Sequence, residues 1–346
     1  MEAIVAQAIR DGTAQRKTSV PWNADEPHPQ PYYAFDSARS SWVSKSPSPD
    51  GAHDEESAEI TNIAVYSWNI DFILPFAEAR MKPALAHLHE LVSSKDLPPS
   101  TAPVIFLQEC TPSDFATITA QPWVRERFHI TDLDHAHWAT TQYGTTTLAD
   151  ARLPVAAVFR VHYSRTRMDR DGLFVDVRAG GRRVRLCNTH LESMAFDPPF
   201  RPAQMELVAR HMHEARVDVA VAAGDFNAIQ PFDRSLHGAN DLRDAFLEAG
   251  GREDTDDAYT WGQQAATALR DRFGCSRMDK VYYCCGAADA ARLVRFARFG
   301  RDVMAEGEEV RREIVALGFE RPWVTDHLGV MAEIAVVPPQ SGNGLP

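Results

Sequence analysis

The stretch Val219–Ile229, reading Val-Ala-Val-Ala-Ala-Gly-Asp-Phe-Asn-Ala-Ile, constrains this chain more than any other. Its first half is an unbroken apolar run with no polar alternation, which predicts a short strand buried on both faces and ended by Gly224. In extended backbone, side chains two apart share a face, so Asp225 and Asn227 reach into one cavity while Phe226 turns into the core. Taken alone, Gly-Asp-x-Asn reads equally well as an Asx-rich turn. Other strand ends in the chain decide between the two.

Ile63–Ile70 alternates as a strand, with Val65, Ser67, Asn69 and Asp71 on one face. Val104–Cys110 is a second continuous apolar run, and period-two alternation puts Glu109 on the face of Ile105 and Leu107. Phe174–Val177 and Val184–Leu191 are joined through Ala179-Gly180-Gly181 as a hairpin, and the second of them carries Asn188, His190 and Glu192 on one side. Arg277–Tyr283 predicts a strand with Asp279 at its entrance, and Thr325-Asp326-His327 stands just before a last strand, Leu328–Val337. Between these runs, Pro75–Lys95 and 202–216 have helical apolar spacing, with Pro83 a candidate kink in the first. The region 111–142 reads as a short helix and irregular chain. Its His129, His135 and His137 lack a cysteine or paired carboxylate and are expected as solvated loop residues. Arg292–Arg301 reads as a half-buried strand with a basic edge.

Residues 1–59 are rich in Pro, Ser and charge and are expected to be mostly a disordered or extended tail, although Trp22, Tyr32, Tyr33, Phe35 and Trp42 could lie on the domain as an extended clamp. One domain is expected over 60–337, with a short tail over 338–346. The formal charge, 36 − 48 = −12, gives no general attraction to a polyanion. Five cysteines without Cys-x-x-Cys spacing are expected as reduced thiols of an intracellular protein, nuclear or cytoplasmic. Met1–Arg10 lacks the basic and apolar regions of a signal peptide, and no apolar run reaches membrane-spanning length. A monomer is expected.

The polar strand tips Asn69, Glu109, His190, Asp225, Asn227, Asp279, Asp326 and His327 make the inventory that phosphate-ester hydrolysis needs. Carboxylates suit a hard divalent cation, which neutralises phosphoryl charge. Asp225 suits an attacking water, the asparagines suit water and phosphate oxygens, and the histidines suit non-bridging oxygens. The series Trp68-Asn69, Leu107-Gln108-Glu109, Asn188-Thr-His190-Leu-Glu-Ser193, Gly224-Asp225-Phe-Asn227, Arg277-Met-Asp279 and Thr325-Asp326-His327 resembles the endonuclease/exonuclease/phosphatase superfamily, related to deoxyribonuclease I. The resemblance covers nearly all of 60–337. It implies an α+β, four-layer α/β/β/α sandwich of two packed mixed sheets, and hydrolysis of phosphate esters with Mg2+, or Mn2+ in its place.

Within that superfamily, Ser67-Trp-Asn-Ile-Asp71, His190-Leu-Glu-Ser193, Tyr259-Thr-Trp261 and Thr325-Asp-His-Leu-Gly329 look closest to the 5′-tyrosyl-DNA phosphodiesterases. By that similarity, Asn69, His190, Asp225, Asn227, Asp279 and His327 would be catalytic, and Glu109 and Asp326 would hold the metal. Ser193, Trp261, Tyr143, Arg277 and Arg201 would contact the substrate, a single-stranded DNA end. Two departures stand out. Met194-Ala-Phe-Asp-Pro-Pro-Phe200 intervenes before Arg201, and Ala228-Ile229-Gln230 follows Gly-Asp-x-Asn where the family places an arginine. Both remove phosphate contacts, which leaves RNA, phosphoinositide, sphingolipid or other phosphate-ester substrates open. A silent scaffold would have lost Glu109, Asp225 or His327, and all three are present.

Overall fold

The computed structural model describes residues 15–48, 59–287 and 289–339. The tails expected at 1–14, 49–58 and 340–346 lie outside the described residues. Fifteen strands form two sheets. They are β1 (Pro27–Pro29), β2 (Tyr32–Asp36), β3 (Ser41–Lys45), β4 (Asn62–Asn69), β5 (Thr101–Cys110), β6 (Phe128–Ile130), β7 (Gly144–Asp150) and β8 (Val155–His162). After them come β9 (Asp171–Ala179), β10 (Arg182–His190), β11 (Val219–Asp225), β12 (Arg243–Asp244), β13 (Asp279–Cys285), β14 (Ala291–Phe299) and β15 (Gly329–Val336). One sheet runs β1-β8-β9-β10-β11-β13-β12 and the other β14-β15-β4-β5-β7-β6-β2-β3.

Each sheet has one parallel pair at its centre, β4 with β5 and β10 with β11. A parallel pair needs a crossover, supplied by the helices α1 (Ala77–Val92) and α4 (Arg201–Met212); α2 (Pro112–Ala120) and α3 (Pro122–Arg127) follow β5. The inner faces meet in a dry core that includes Val65, Val104, Phe106, Val184, Leu186, Val219, Val221, Val281 and Val330. The outer face of the sheet holding β4 and β5 packs with Met81, Leu85 and Leu88 of α1, and that of the sheet holding β10 and β11 with Met205 and Val208 of α4. The result is the expected four-layer sandwich. Pro83 sits inside α1, and the Ala79 carbonyl that its missing N–H leaves unpaired accepts instead from the Glu306 N–H at 2.8 Å.

Residues 27–45 differ from a tail. β1 pairs with β8 of one sheet and β2 with β6 of the other, so the chain crosses from sheet to sheet at Gln30 and Pro31. The aromatics account for it, because Tyr32, Tyr33 and Trp42 pack against the two cores. Gln30, buried at the crossing, donates to the Thr131 carbonyl at 2.9 Å. Helices at Thr267–Phe273 and Glu308–Ala316 were not expected from the sequence; the first buries no residue and the second only Ile314. No helix among the described residues is long and apolar enough to cross a membrane.

The parallel register sets Gly224 opposite Thr189, with φ of 155°. A Cβ there would stand 1.7 Å from the Thr189 carbonyl oxygen. Gly224→Ala should therefore destabilise the chain by about 3 kcal/mol or more, since it sets backbone against backbone. Urea unfolding checks this, and wild-type stability in the variant would contradict the register.

Candidate active site

The inner faces of both sheets are apolar along their length and turn polar at one end. Period two carries Val65 and Ser67 to Asn69, Val184 and Leu186 to Asn188 and His190, and Val219, Val221 and Ala223 to Asp225. β13 runs antiparallel to β11 and brings Asp279 directly opposite Asp225. Polar ends of parallel strands are where open α/β sheets hold ligands. Hydrogen bonds join the sheets there: Asn69 Nδ2 donates to Asp225 Oδ2 at 3.0 Å, Gln108 Nε2 to Asn188 Oδ1 at 2.8 Å, and Asn188 Nδ2 to the carbonyls of Leu107 and Thr146 at 3.2 and 2.8 Å.

The final loop is pinned to the end of β4. The Thr325 hydroxyl donates to the Asn69 carbonyl at 2.8 Å and the Trp68 indole to the His327 carbonyl at 3.1 Å. His327 Nδ1 lies 2.8 Å from Asp279 Oδ2, and its Nε2 lies 3.8 Å from both Asp225 and Asp326. Burial disfavours charge on this ring, but the three carboxylates outweigh it and hold its pKa well above the usual imidazole range. The surrounding carboxylates thus favour the protonated form of the His327 ring. Asp225 shows the reverse balance: burial would raise its pKa, while His327, His190 and the Asn227 N–H hold it far below the usual carboxylate range. Thr260, in the Tyr-Thr-Trp motif, accepts from the Asp279 N–H at 2.9 Å, and the indole of Trp261 donates to Asp326 at 2.7 Å.

His190 connects the two sides of the site. Its Nε2 lies 3.3 Å from Asp225 and 3.8 Å from Glu109, and its Nδ1 lies 2.6 Å from an N–H of Arg170. A guanidinium can only donate, so Nδ1 accepts and the ring proton sits on Nε2. Arg170 also lies 5.4 Å from the ring of Tyr143, which stacks on Phe72 at 4.0 Å. Ser193 Oγ is 2.7 Å from the sulfur of Met168 in the same loop. The Nε–H of Arg170 and the Nε2–H of His190 have no hydrogen-bond partner among the described residues.

An acidic cluster faces these donors. Burial, Asp326 and Glu109 push Asp71 up to about 8, against the opposing charge of Arg80. Burial also raises Asp326, with Glu109 adding to the rise. Arg80 donates to the carbonyls of Ile70, Asp71, Leu74, Pro75 and Val324, so none of these bonds goes to the carboxylates. Uncompensated carboxyl groups of this kind fit a divalent cation. A second set, Asp225, Asp279 and His327, places one ligand atom from each residue within 4.8 Å and could hold a metal by geometry. Its imidazolium, however, has no lone pair to offer while both ring nitrogens are protonated.

Glu109 does not follow simple alternation. Its φ is 60°, and the β5 to β7 register shifts between Leu107 and Cys110, so a bulge re-aims it away from the outer face of Ile105 and Leu107. Its Oε2 accepts from the Phe72 N–H at 2.9 Å. Asp71 and Asn227 are also left-handed, at 57° and 46°, which concentrates backbone strain at this end. Asn227 lies beyond the end of β11 in an Asx turn, its N–H donating to Asp225 Oδ1 at 2.8 Å and its side chain to the Leu191 carbonyl at 3.0 Å, so the turn reading of Gly-Asp-x-Asn holds and extended alternation does not reach Asn227.

Two expected substrate contacts are internal. Arg201 is 1 % exposed, and its donors go to Asp233, Gln230 and the carbonyls of Glu192 and Met194. Arg277 is 5 % exposed and is held by Asp244 and Glu253. Both pair with carboxylates, Asp233 and Asp244 buried and Glu253 partly so, that no spacing in the chain anticipates. Sequence reasoning missed Arg170, and it put Asp71 on the face of Asn69 without giving it a role. Starting β9 at Phe174 hid the former, since the strand begins at Asp171 and Arg170 stands at its entrance beside the end of β10.

The profile of the Endonuclease/Exonuclease/phosphatase family matches residues 66–327, and the chain belongs to that family. Its fold and site are those of a hydrolase of the phosphodiesterase or nuclease kind. Among solved structures it is similar to D. rerio TDP2 complexed with single strand DNA product, at 17 % identity and a TM-score of 0.60, covering 80 % of this chain and 99 % of that one. Truncated Caenorhabditis elegans TDP2 gives 21 % and 0.56, covering 80 % and 98 %. An endonuclease/exonuclease/phosphatase from Bacteroides vulgatus gives 14 % and 0.56, covering 80 % and 99 %. At these identities the likeness is one of fold. No curated protein matches the chain.

Behind the site, burial pushes Lys280 down to about 8, with Arg277 adding to the effect and Glu253, 3.5 Å away, opposing it. Its folded pKa lies below the unfolded value of about 10.4. Between the two the unfolded chain holds the extra proton, so stability should climb as pH rises through this window. Relative to Lys280→Met, the wild type should gain on the order of 1–3 kcal/mol between about pH 8 and pH 10 in urea unfolding. Equal pH slopes for the two proteins would refute it.

Proposed function

We propose that this chain is a Mg2+-dependent phosphodiesterase that releases tyrosine from 5′-phosphotyrosyl ends of single-stranded DNA, acting as a monomer. The carrying observation is the division of the site into an acidic side, Asp71, Glu109 and Asp326, and a side of unpartnered or charged donors, His190, Arg170 and His327, with Asn69 and Asp225 between them. Glu109 and Asp326 would hold Mg2+, which when bound neutralises charge on the phosphoryl oxygens. Asn69 and Asp225 orient the attacking water. Asp225, with its depressed pKa, serves as a fixed carboxylate rather than a strong base. His327 and His190 donate to the non-bridging oxygens, and Asp279 holds the His327 ring. Water attacks phosphorus, the bond to the tyrosyl oxygen breaks, and the DNA keeps a 5′-phosphate. A phenol, with a pKa of about 10, leaves with less acid assistance than an alcohol.

The substrate reading is supported by what surrounds the site. Phe72, backed by the buried Tyr143, and Trp261 are half-buried aromatics beside the site, while Met194 and Ile229 are exposed on the flanking loops. Stacking on such faces suits a single strand. One of the similar structures holds a single-stranded DNA product, which agrees with this reading. The internal places of Arg201 and Arg277 favour, as a second reading, a small phosphodiester with little backbone to neutralise.

A single-stranded oligonucleotide bearing a 5′-phosphotyrosine should release tyrosine in Mg2+ and not in chelator. Asp225→Ala and Glu109→Ala should each lower kcat by about 10²–10⁴-fold. Cleavage of an aryl phosphodiester with the oligonucleotide left intact would favour the second reading. Inertness toward both, across several divalent ions, would remove the hydrolytic assignment.

A further inference from the structure

The segment Gln15–Pro29 precedes the family match at 66–327, yet it reaches the loop that serves His190. That loop, Tyr163–Arg170, is closed by the Tyr163 N–H donating to the Arg170 carbonyl at 3.1 Å, and it delivers Arg170 to His190 Nδ1. It has two sets of holds. The first comes from the domain itself: Glu192 accepts from the Thr166 hydroxyl at 2.7 Å and the Arg167 N–H at 3.2 Å, and the Tyr143 hydroxyl donates to the Met168 carbonyl at 2.6 Å.

The second set comes from the N-terminal segment and takes the two ends of the loop. Asp25 accepts from the Ser164 N–H at 2.8 Å and from its hydroxyl at 2.5 Å. Arg16 pairs with Asp169 at 2.5 Å, immediately before Arg170. Asp169 has φ of 57°, a conformation that must be held from outside, and its carboxylate is 8 % exposed. The segment is itself fixed to the core. Lys17 pairs through its N–H with the Ala139 carbonyl at 2.9 Å, Trp22 stacks flat on His162 at 4.0 Å, and β1 joins β8.

We infer that residues 15–29 form a strap that completes the active site, with Arg16 and Asp25 as positioning residues that hold Arg170 against His190. The strap sets the direction of the His190 ring, and with it the Nε2–H between Asp225 and Glu109. It acts through Arg170 and touches no reacting atom. Arg16 is half exposed and Asp169 nearly buried, so losing the pair also costs some stability, and the effect on rate is measured well below Tm, where the variant stays folded.

The rate arm of the test rests on the hydrolytic reading of the site, and the exchange arm does not. In the full chain, Arg16→Ala should lower kcat on an aryl phosphodiester by about 10- to 100-fold with KM unchanged, at a temperature where the variant is fully folded. Arg16→Lys should restore most of the rate. In an Arg170→Ala background, Arg16→Ala should have no further effect, as expected for two residues acting through one contact. Hydrogen exchange should show faster exchange of the 164–170 amides in Arg16→Ala/Asp25→Asn, with β10 and β11 unchanged. The strap is overturned if kcat stays within about twofold, or if the two single effects multiply in the double variant. Should the wild type hydrolyse nothing, exchange decides alone: unchanged protection of 164–170 overturns the strap, and lost protection upholds it.

Discussion

The hydrogen bond from Asn69 to Asp225 crosses from one sheet to the other at the point where the apolar core ends. Everything chemical in the molecule depends on that junction. Two sheets packed through valines and phenylalanines have no reason of their own to align one strand end with another. The junction does so, together with the Gln108–Asn188 bond, because buried amides and carboxylates must find partners. The core supplies the burial that drives the sheets together, and the polar ends select the alignment in which their groups are satisfied.

That alignment also sorts charge. Acidic groups from the ends of β4 and β5 and from the last loop face one another and push up the pKa of Asp71 and Asp326, while the carboxylates around His327 favour its protonated ring. Arg80 binds this arrangement from beneath with bonds to carbonyls alone, tying the loop after β4 to Val324. Its charge offsets part of the acidic repulsion without occupying any carboxylate oxygen.

Much of this was legible in the sequence because burial on the inner faces obeys period two. Apolar runs ending in polar residues pointed to Asn69, His190, Asp225 and Asp279 in their correct places. Glu109 was found for the right chemistry by the wrong geometry, since a left-handed residue and a bulge are invisible to alternation. Arg201 and Arg277 misled because a buried ion pair and a phosphate contact use the same residue type, and only the position of Asp233 and Asp244 separates them. The helix at Glu308–Ala316 escaped because it buries a single side chain and so leaves little periodic signal. For residues 27–45 the proline-rich composition pointed to a tail and only the aromatics to an extended clamp, and neither says anything about the two open sheet edges that the segment joins.

The site closes over long stretches of chain. Asn69 meets Asp225 across 156 residues, and Thr325 meets the carbonyl of Asn69 across 256. Such contacts form late, after the loop-closure entropy between them has been overcome. A chain made from its N-terminus therefore lacks a complete catalytic centre through most of its synthesis. Until Asp326 and His327 have emerged and folded back onto β4, a ribosome-bound chain carries neither the last carboxyl group of the acidic side nor the ring that faces Asp225. The fold thus separates making this hydrolase from switching it on, and the last sixth of the chain is the part that throws the switch.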